Sequence, residues 1–276
     1  MAGRLIRWLN GKGGRTGRNE APDFSGAPFG IGKALRTDVH CHMIPGVDDG
    51  VDSLDEALAM IERLRGLGYT GSVLTSHIYT DLYPNSRATL TPGFEALKSA
   101  VAARWPDYVL HLAAEYFTDE HFASCIANDD LLWFPARNES GEHVRCVLFE
   151  FGFHEAPIQA KDVVFQLQMA GYQPVLAHVE RYAYWHRDFS VMEDLHNRGV
   201  WLTLNAASLA GAYGPETFVA AKSVMERGWC RLLCSDAHGM RHIESLEAVD
   251  RSPLVIDWAS GDQSAQQKSL LPSLVP

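Results

Sequence analysis

The sequence predicts an α/β protein in which seven parallel strands, each followed by a helix, form a (β/α)7 TIM-like barrel. Seven short apolar runs recur roughly every 30 residues, and such runs are typical of buried parallel strands. Helical patterns lie between them, so the chain alternates as βα units do. No G-x-G-x-x-G motif joins a strand to a helix, which disfavours a doubly wound dinucleotide-binding sheet. The length of 276 residues suits one barrel-sized domain.

The order of the elements follows from these patterns and from turn signals. The predicted strands are 37–42, 72–77, 108–115, 144–150, 174–178, 201–205 and 231–238. The segment from Ser53 to Glu56 has the pattern of a capping box, which predicts that a helix begins there. Further helical patterns lie near 92–104, 118–127, 160–170, 190–198 and 216–227. The glycines that follow predicted helices, where a left-handed residue is favoured, are Gly68, Gly171, Gly199 and Gly228.

The two ends of the chain differ from the predicted barrel, which covers residues 36–255. Residues 1–35 are rich in glycine and arginine, and we predict a flexible basic N-terminal extension. Its apolar start at residues 5–9 leaves open a weak contact with an anionic membrane surface. Residues 256–276 are predicted to be a polar C-terminal tail, with fraying from about Ser252.

Composition excludes several classes of protein. The net charge of -10 argues against binding to nucleic acid, which requires a basic surface. Five cysteines without a C-x-x-C pair are typical of reduced thiols in a cytoplasmic protein. The absence of an 18-residue apolar stretch predicts no transmembrane segment, and the first residues lack the pattern of a secretory signal.

Six of the seven predicted strands end in side chains that can bind a metal. These side chains are His40, His42, His77, Glu115, Glu150, His178, Asp236 and His238, and Asp48 and Asp49 follow in the first loop. A parallel barrel gathers the carboxyl ends of its strands on one face. Any one of these residues alone is more often a core residue or a helix cap, but burying all of them without cations would be prohibitive. The pattern therefore predicts a multi-metal hydrolase, and mixed imidazole and carboxylate ligands favour Mn, Fe or Zn.

The strand at 201–205 is the exception, because it ends in Asn205. This side chain is better suited to contact a metal ligand or the substrate than to bind a metal itself.

These strand ends resemble the motifs of the polymerase and histidinol phosphatase (PHP) superfamily. The motifs are D-V-H-C-H-M-I-P-G-V-D-D-G, T-S-H, A-A-E, L-F-E-F, A-H-V-E-R-Y and S-D-A-H. The segments P-G-V-D-D-G and A-H-V-E-R-Y are most similar to its bacterial branch of capsule-regulating, metal-dependent protein-tyrosine phosphatases. The resemblance runs from about residue 37 to residue 242 and implies a distorted seven-stranded barrel of PHP type.

The resemblance also implies three divalent metal ions, with Mn²⁺ preferred and Fe or Zn as alternatives. The first ion would be held by His40, His42 and Asp236. The second would be held by Glu150 and His178, with Glu115 bridging it to the first. The third would be held by Asp49, His77 and His238. Asp48 remains an alternative to Asp49.

The same resemblance implies that Arg181, Asp236 and His238 are catalytic. A guanidinium can hold a phosphate group with two parallel hydrogen bonds, whereas the alternative for Arg181 is a surface ion pair with Glu180. Arg241 and Arg87 are weaker candidates for the same role. None of the five cysteines is followed six positions later by Arg, so cysteine-based phosphatase chemistry is not supported.

An aromatic pocket for a substrate ring is also conceivable from the sequence. The aromatic residues that follow strand ends are Tyr79, Tyr83, Tyr182, Tyr184 and Trp185. The alternative is that these side chains pack the loops onto the barrel.

The predicted function is hydrolysis of phosphotyrosine in proteins by a metal-dependent cytoplasmic enzyme. The resemblance implies a bacterial tyrosine autokinase as the partner, in the control of capsular or exopolysaccharide synthesis. Three alternatives stay open: a small-molecule phosphatase acting on compounds such as histidinol phosphate, a metal-loaded kinase adaptor without turnover, and an amidohydrolase. The last is disfavoured because no Lys closes a predicted strand.

Overall fold

The computed structural model describes residues 21–264 and residue 267, and these form a mixed α/β fold. The strands are β1 Thr37–Cys41, β2 Gly71–Leu74, β3 His77–Ile78, β4 Val109–Leu112, β5 Glu115–Phe117, β6 Phe134–Arg137, β7 His143–Glu150, β8 Tyr172–Leu176, β9 Trp201–Asn205 and β10 Cys230–Cys234. The α-helices are α1 Ile31–Leu35, α2 Leu54–Gly66, α3 Arg87–Arg104, α4 Glu120–Ala127, α5 Ala160–Met169, α6 Ser190–Asn197, α7 Ala206–Leu209, α8 Pro215–Glu226, α9 Met240–Val249 and α10 Pro253–Ser260. Short 3-10 turns lie at Val179–Arg181, Ala183–Trp185 and Asp262–Ser264.

The strands are arranged in two sheets. One sheet has the order β1-β2-β4, and the other has the order β10-β9-β8-β7-β5-β3, with β6 pairing against β7. Every pair is parallel except β6 with β7. The sheets touch where Asp236 N donates to His40 O at 2.9 Å and His42 N donates to Ala237 O at 3.0 Å. The carboxyl ends of the parallel strands therefore meet on one face, as expected.

The expected seven-stranded barrel is not confirmed, because the strand pairs among the described residues do not close into a ring. Two of the predicted strands are each broken in two: 72–77 forms β2 and β3, and 108–115 forms β4 and β5. The break has a physical cause, since the backbone changes partners there. Thr75 lies two residues before β3. Its N–H donates to Cys41 O in β1, whereas its carbonyl accepts the N–H of Glu115 in β5.

Other local predictions agree with the structure. Strand β9 has the predicted limits, and the four predicted C-terminal glycines have φ values between 73° and 98°. At the start of α2, Ser53 Oγ accepts the Glu56 N–H, but the Glu56 carboxylate accepts the Asp52 N–H and not that of Ser53. The predicted box is thus only half formed. Strand β6 and helices α1, α7, α9 and α10 were not predicted.

Both ends of the described chain pack onto the body. Ile31 in α1 is fully buried, and its N–H donates to Asp250 Oδ1 at 2.6 Å. Helix α10 buries Trp258, and the buried Gln267 side chain hydrogen-bonds Leu233 and Thr37. Helices α1 and α10 thus pack onto the body within the segments predicted as extension and tail, and the flexibility of those segments stays a prediction. Residues 1–20, with the proposed membrane contact, and residues 265–266 and 268–276 lie outside the described part; the domain limits of 36 and 255 also stay predictions.

All five cysteines lie in the described part and are buried free thiols. No helix of the described residues is both long enough and apolar enough to cross a membrane.

Candidate metal centre

All nine predicted ligands lie together at the carboxyl ends of the strands. The structure places the donor atoms of eight of them in three overlapping groups, each with its atoms within 4.8 Å of one another. The groups are His40, His42, Glu115 and Asp236; His42, Asp49, His77 and His238; and His77, Glu115 and Glu150. The grouping differs in detail from the expected one, because His42 is shared by two groups and His77 joins the third. His178 lies beside that third group, with Nε2 at 3.0 Å from Glu115 Oε1 and 3.7 Å from Glu150 Oε2.

Glu115 is the centre of the cluster. Its Oε2 atom lies 3.1 Å from His40 Nε2, 3.3 Å from His42 Nε2 and 3.2 Å from His77 Nδ1, while Oε1 faces His178. The side chain is fully buried. Burial alone would raise the pKa of Glu115, but the charges of His40 and His77 and the hydrogen bonds to His178 and His40 hold it well below its usual value. Glu115 is thus an anion that several imidazoles share, as a bridging ligand would be.

Asp236 is held from one side and open on the other. Its Oδ2 atom accepts a hydrogen bond of 2.6 Å from Asn205 Nδ2 and one of 3.4 Å from Arg181 Nη1. Its Oδ1 atom is buried, accepts no hydrogen bond, and lies 3.3 Å from His40 Nε2 and 3.4 Å from His42 Nε2. A buried carboxylate oxygen without a donor is costly unless a cation meets it. The expectation for Asn205 agrees with this contact, since Asn205 reaches a predicted ligand.

Backbone strain accompanies two of the predicted ligands. His178 has a φ of 33° and Asp236 a φ of 48°, in the left-handed region that non-glycine residues rarely occupy. Such residues cost on the order of 1–3 kcal/mol each and are found mainly where function requires the geometry. The His178 N–H donates to Thr203 Oγ1 at 2.9 Å, which helps to hold the turn.

The first loop separates the roles of its two aspartates. Asp48 Oδ2 accepts hydrogen bonds from His42 Nδ1 at 2.9 Å and from His77 N at 3.0 Å, so Asp48 orients a predicted ligand. Asp49 Oδ1 instead lies 3.5 Å from His77 Nε2 and 3.4 Å from His238 Nε2. Asp49 is thus a member of one of the three groups of donor atoms that could hold a metal ion. Gly50 lets this loop close, because a Cβ there would lie 2.1 Å from His42 O.

The protonation of the histidines indicates how strongly the site attracts cations. Burial would lower the pKa of His42, but the nearby carboxylates of Asp236, Asp48 and Glu115 raise it well above its usual value. The pKa of His77 and that of His178 are raised in the same way, against the effect of burial. The carboxylates of the site therefore stabilise positive charge on the groups around them. Together with the open Asp236 oxygen, this donor set fits divalent cations, and its mixture of nitrogen and oxygen atoms suits Mn, Fe or Zn.

A cavity of about 750 Å³ opens directly onto the cluster. Its wall includes Arg181, whose side chain is about a quarter exposed, and the aromatic rings of Tyr79 and Tyr83. The surface ion pair between Arg181 and Glu180 is wrong, because Glu180 is fully buried and accepts hydrogen bonds from Asn205 N and from the Ser208 hydroxyl.

Other candidates for this cavity lie elsewhere. Tyr182 is fully buried, and its hydroxyl accepts the Phe151 N–H, while Trp185 is also in the core. For these two rings, packing of the loops is the correct interpretation. Arg87 faces Asp130 at the surface at 3.6 Å, and Arg241 is exposed, so neither lines the cavity.

Several aromatic residues of the cavity wall were missed by sequence reasoning, and two of them lie beside Arg181. Phe153 and Tyr213 face Arg181, with ring centroids 4.5 Å and 4.7 Å from its Cζ atom. Phe153 follows β7 by three residues, and Tyr213 lies in the loop between α7 and α8. The available signal was an aromatic side chain beyond a strand end, but nothing in the sequence links the two to Arg181.

Comparisons with known proteins identify similar proteins of one family. A family model described as capsular polysaccharide synthesis, CpsB/CapC, matches residues 36–249. The chain is 26% identical over 216 residues to the tyrosine-protein phosphatase YwqE of Bacillus subtilis, covering 77% of this chain and 82% of that protein. It is 26% identical over 203 residues to the putative tyrosine-protein phosphatase CapC of Staphylococcus aureus, covering 74% and 77% of the two chains.

A solved structure shares the fold. A crystal structure from work on YwqE of Bacillus subtilis and CpsB of Streptococcus pneumoniae, described as unique metal-dependent tyrosine phosphatases, superposes with a TM-score of 0.70. It is 22% identical in sequence and covers 84% of this chain and 94% of that one.

Proposed function

The chain belongs to the capsular polysaccharide synthesis family CpsB/CapC, and on that premise we propose that it is a metal-dependent protein-tyrosine phosphatase. The observation that carries the proposal is the cluster of nine ligand side chains, all but Asp49 buried or half-buried, onto which the cavity beside Arg181 opens. Two matched relatives bear the name of tyrosine-protein phosphatase, which supports the substrate class.

Three divalent ions, with Mn²⁺ as the preferred metal, are proposed for the cluster. The three overlapping groups of donor atoms support this number. Bound ions would lower the pKa of water to about 7 and neutralise phosphoryl oxygens. Glu115 is proposed as a bridging ligand because it contacts histidines of all three groups.

Arg181, Asp236 and His238 are the proposed catalytic residues. Arg181 would bind two oxygens of the phosphoryl group through the edge of its guanidinium. Asp236 holds Nη1 of that guanidinium through Oδ2 and presents Oδ1 to the ligand cluster, so it aligns the two parts of the site. His238 lies between two aspartates: its Nδ1 atom is 3.5 Å from Asp236 Oδ1, and its Nε2 atom is 3.4 Å from Asp49 Oδ1. A phenolate leaves readily enough, with a pKa near 10 for free tyrosine, so strong help from a general acid is unnecessary.

The finer aspects of the biological role are part of the same proposal. The two sheets are taken to enclose a distorted seven-stranded barrel, since Cys41 at the end of β1 forms a parallel bridge with Ala237, three residues beyond β10. The substrate is proposed to be a phosphotyrosine protein, a bacterial tyrosine autokinase, in the cytoplasm. The pathway would be capsular or exopolysaccharide synthesis, which the family description supports.

The test is turnover by the purified chain with Mn²⁺, comparing a phosphotyrosine peptide, p-nitrophenyl phosphate and histidinol phosphate. The proposal is supported if the chain hydrolyses the phosphotyrosine peptide and if a metal chelator abolishes this hydrolysis. Exclusive turnover of histidinol phosphate would favour a small-molecule phosphatase, and metal binding without turnover would favour an adaptor.

Variants separate the roles of the residues. His178→Ala is expected to lose bound metal, and Arg181→Ala to keep its metal but lose about 10²–10³-fold in kcat, as when one donor to a developing oxyanion is removed. Arg87→Ala removes a surface arginine 54% exposed and serves as the matched control. Full metal and full rate in His178→Ala would refute the site assignment, and a wild-type rate in Arg181→Ala would refute its catalytic role.

A further inference from the structure

We infer that Phe153 and Tyr213 are positioning residues that clamp the guanidinium of Arg181 between their rings and so preset it for phosphate. This inference rests on the proposed function and extends it to two residues outside the ligand motifs. The carrying observation is that Arg181 lies over two aromatic rings at the cavity wall: its Cζ atom lies 4.5 Å from the Phe153 ring centroid and 4.7 Å from that of Tyr213.

The two ring contacts matter because few other contacts fix the orientation of the Arg181 guanidinium. Its contact with Asp236 is a single hydrogen bond at the long distance of 3.4 Å. An arginine side chain has many rotamers, and binding must remove this freedom unless the protein has already done so. Two ring faces confine a planar cation without using its N–H groups, and an attraction of this kind strengthens in a desolvated site. The edge of the guanidinium therefore stays available for phosphoryl oxygens.

The two rings are themselves held in place from opposite sides. Phe153 packs against the fully buried Tyr182, with ring centroids 5.7 Å apart. Tyr213 lies with its hydroxyl 3.3 Å from Nε2 of His242, and Nδ1 of the same imidazole accepts the His238 N–H at 3.3 Å. Phe153 comes from the loop after β7 and Tyr213 from the loop before α8, so the clamp joins two separate loops over the cavity.

A double-mutant cycle tests the clamp on the Mn²⁺-loaded full chain. Phe153→Leu and Tyr213→Leu are each expected to lower kcat/KM for a phosphotyrosine peptide about tenfold. In the Arg181→Ala background the same changes should cost less than about twofold, because the clamped group is already gone. Phe153→Tyr and Tyr213→Phe keep the rings and should retain most of the rate. Phe165→Leu, at an exposed site on α5, is the matched control.

Two readouts do not depend on turnover. The first is the affinity for inorganic phosphate by calorimetry, which should fall about tenfold in the Leu variants. The second is the NMR signal of Arg181 Nε–H in the metal-free chain. Two stacked rings should shift it upfield relative to free arginine, and Tyr213→Leu should return it towards the free position. Arg181→Ala identifies the signal by its disappearance.

The outcomes separate this inference from the proposed function. An inactive wild-type chain with a ring-shifted Arg181 signal would refute the phosphatase but keep the clamp. An active wild-type chain with equal losses in both backgrounds, or an Arg181 signal at the free position, would overturn the clamp and keep the phosphatase.

Discussion

Replacing Asn205 by Ala tests whether a side chain that binds no metal controls the metal centre. Asn205 Nδ2 donates a 2.6 Å hydrogen bond to Asp236 Oδ2, and both residues are almost completely buried. A hydrogen bond to a charged group contributes about 1.5–3 kcal/mol. Without it, Asp236 Oδ2 keeps only the 3.4 Å contact with Arg181, and the carboxylate can turn Oδ1 away from His40 and His42.

We expect the affinity for Mn²⁺ to fall about 10–100-fold, the usual cost of losing a partner that orients a metal ligand. The assay is elemental analysis after equilibration against a series of free Mn²⁺ concentrations, with kcat measured at saturating metal. Asn205→Asp should be more damaging, because it replaces the donor by a second carboxylate facing Asp236. Asn128→Ala, at the exposed end of α4, is the control for a simple Asn-to-Ala change.

The result that would refute the reasoning is an Asn205→Ala protein with wild-type metal affinity and a lower melting temperature. That outcome would mean that Asn205 stabilises the fold and that Asp236 is oriented by other contacts.

Three further predictions follow from the buried charges of the site. Glu115→Gln removes the anion that several histidines share, so elemental analysis should find fewer bound ions per chain; wild-type stoichiometry would contradict the bridging role. Because the carboxylates raise the pKa of His42 and His77, metal uptake should release protons and weaken as the pH falls from 8 to 6, which calorimetry in buffers of different ionisation enthalpy measures; equal heats in all buffers would count against it. Burial, partly offset by the Ser235 hydrogen bonds, raises the pKa of Asp38 from 3.8 to about 6. The folded metal-free chain therefore binds this proton more tightly than the unfolded one, and stability present below pH 4 is lost as the pH rises through 6. Between pH 4 and pH 7 the free energy of unfolding of the wild type should therefore fall by about 3 kcal/mol on account of Asp38, and in Asp38→Asn this fall should be absent. Urea titrations at the two pH values measure it, and an equal pH dependence of the unfolding free energy in both proteins would exclude Asp38 as the source.

The ligand set could be predicted because strand direction converts a linear pattern into a spatial one. Residues such as His178 and Glu150 follow apolar runs, and parallel strands bring their carboxyl ends together whatever the exact curvature of the sheet. The alternation of side chains along β1 likewise placed His40 and His42 on one side. These inferences need only the period of the strand and the sense of the chain.

The closure of the sheets could not be predicted in the same way. The run 72–77 has the pattern of one strand, yet β2 ends at Leu74 and a second strand, β3, begins at His77. The choice depends on which neighbour offers hydrogen-bonding groups at each point, and that neighbour is distant in sequence.

The sequence by itself determined which potential ligand side chains would meet at the carboxyl ends of the strands and that an arginine would lie beside them. These properties depend on residue type and on position within a local element. Only the tertiary structure decided that Asp48 orients His42 while Asp49 faces the cluster, because adjacent aspartates in a loop are distinguished by the atoms around them. It likewise decided that Phe153 and Tyr213 enclose Arg181, since that contact joins loops 60 residues apart, and no periodicity links positions so distant in the chain.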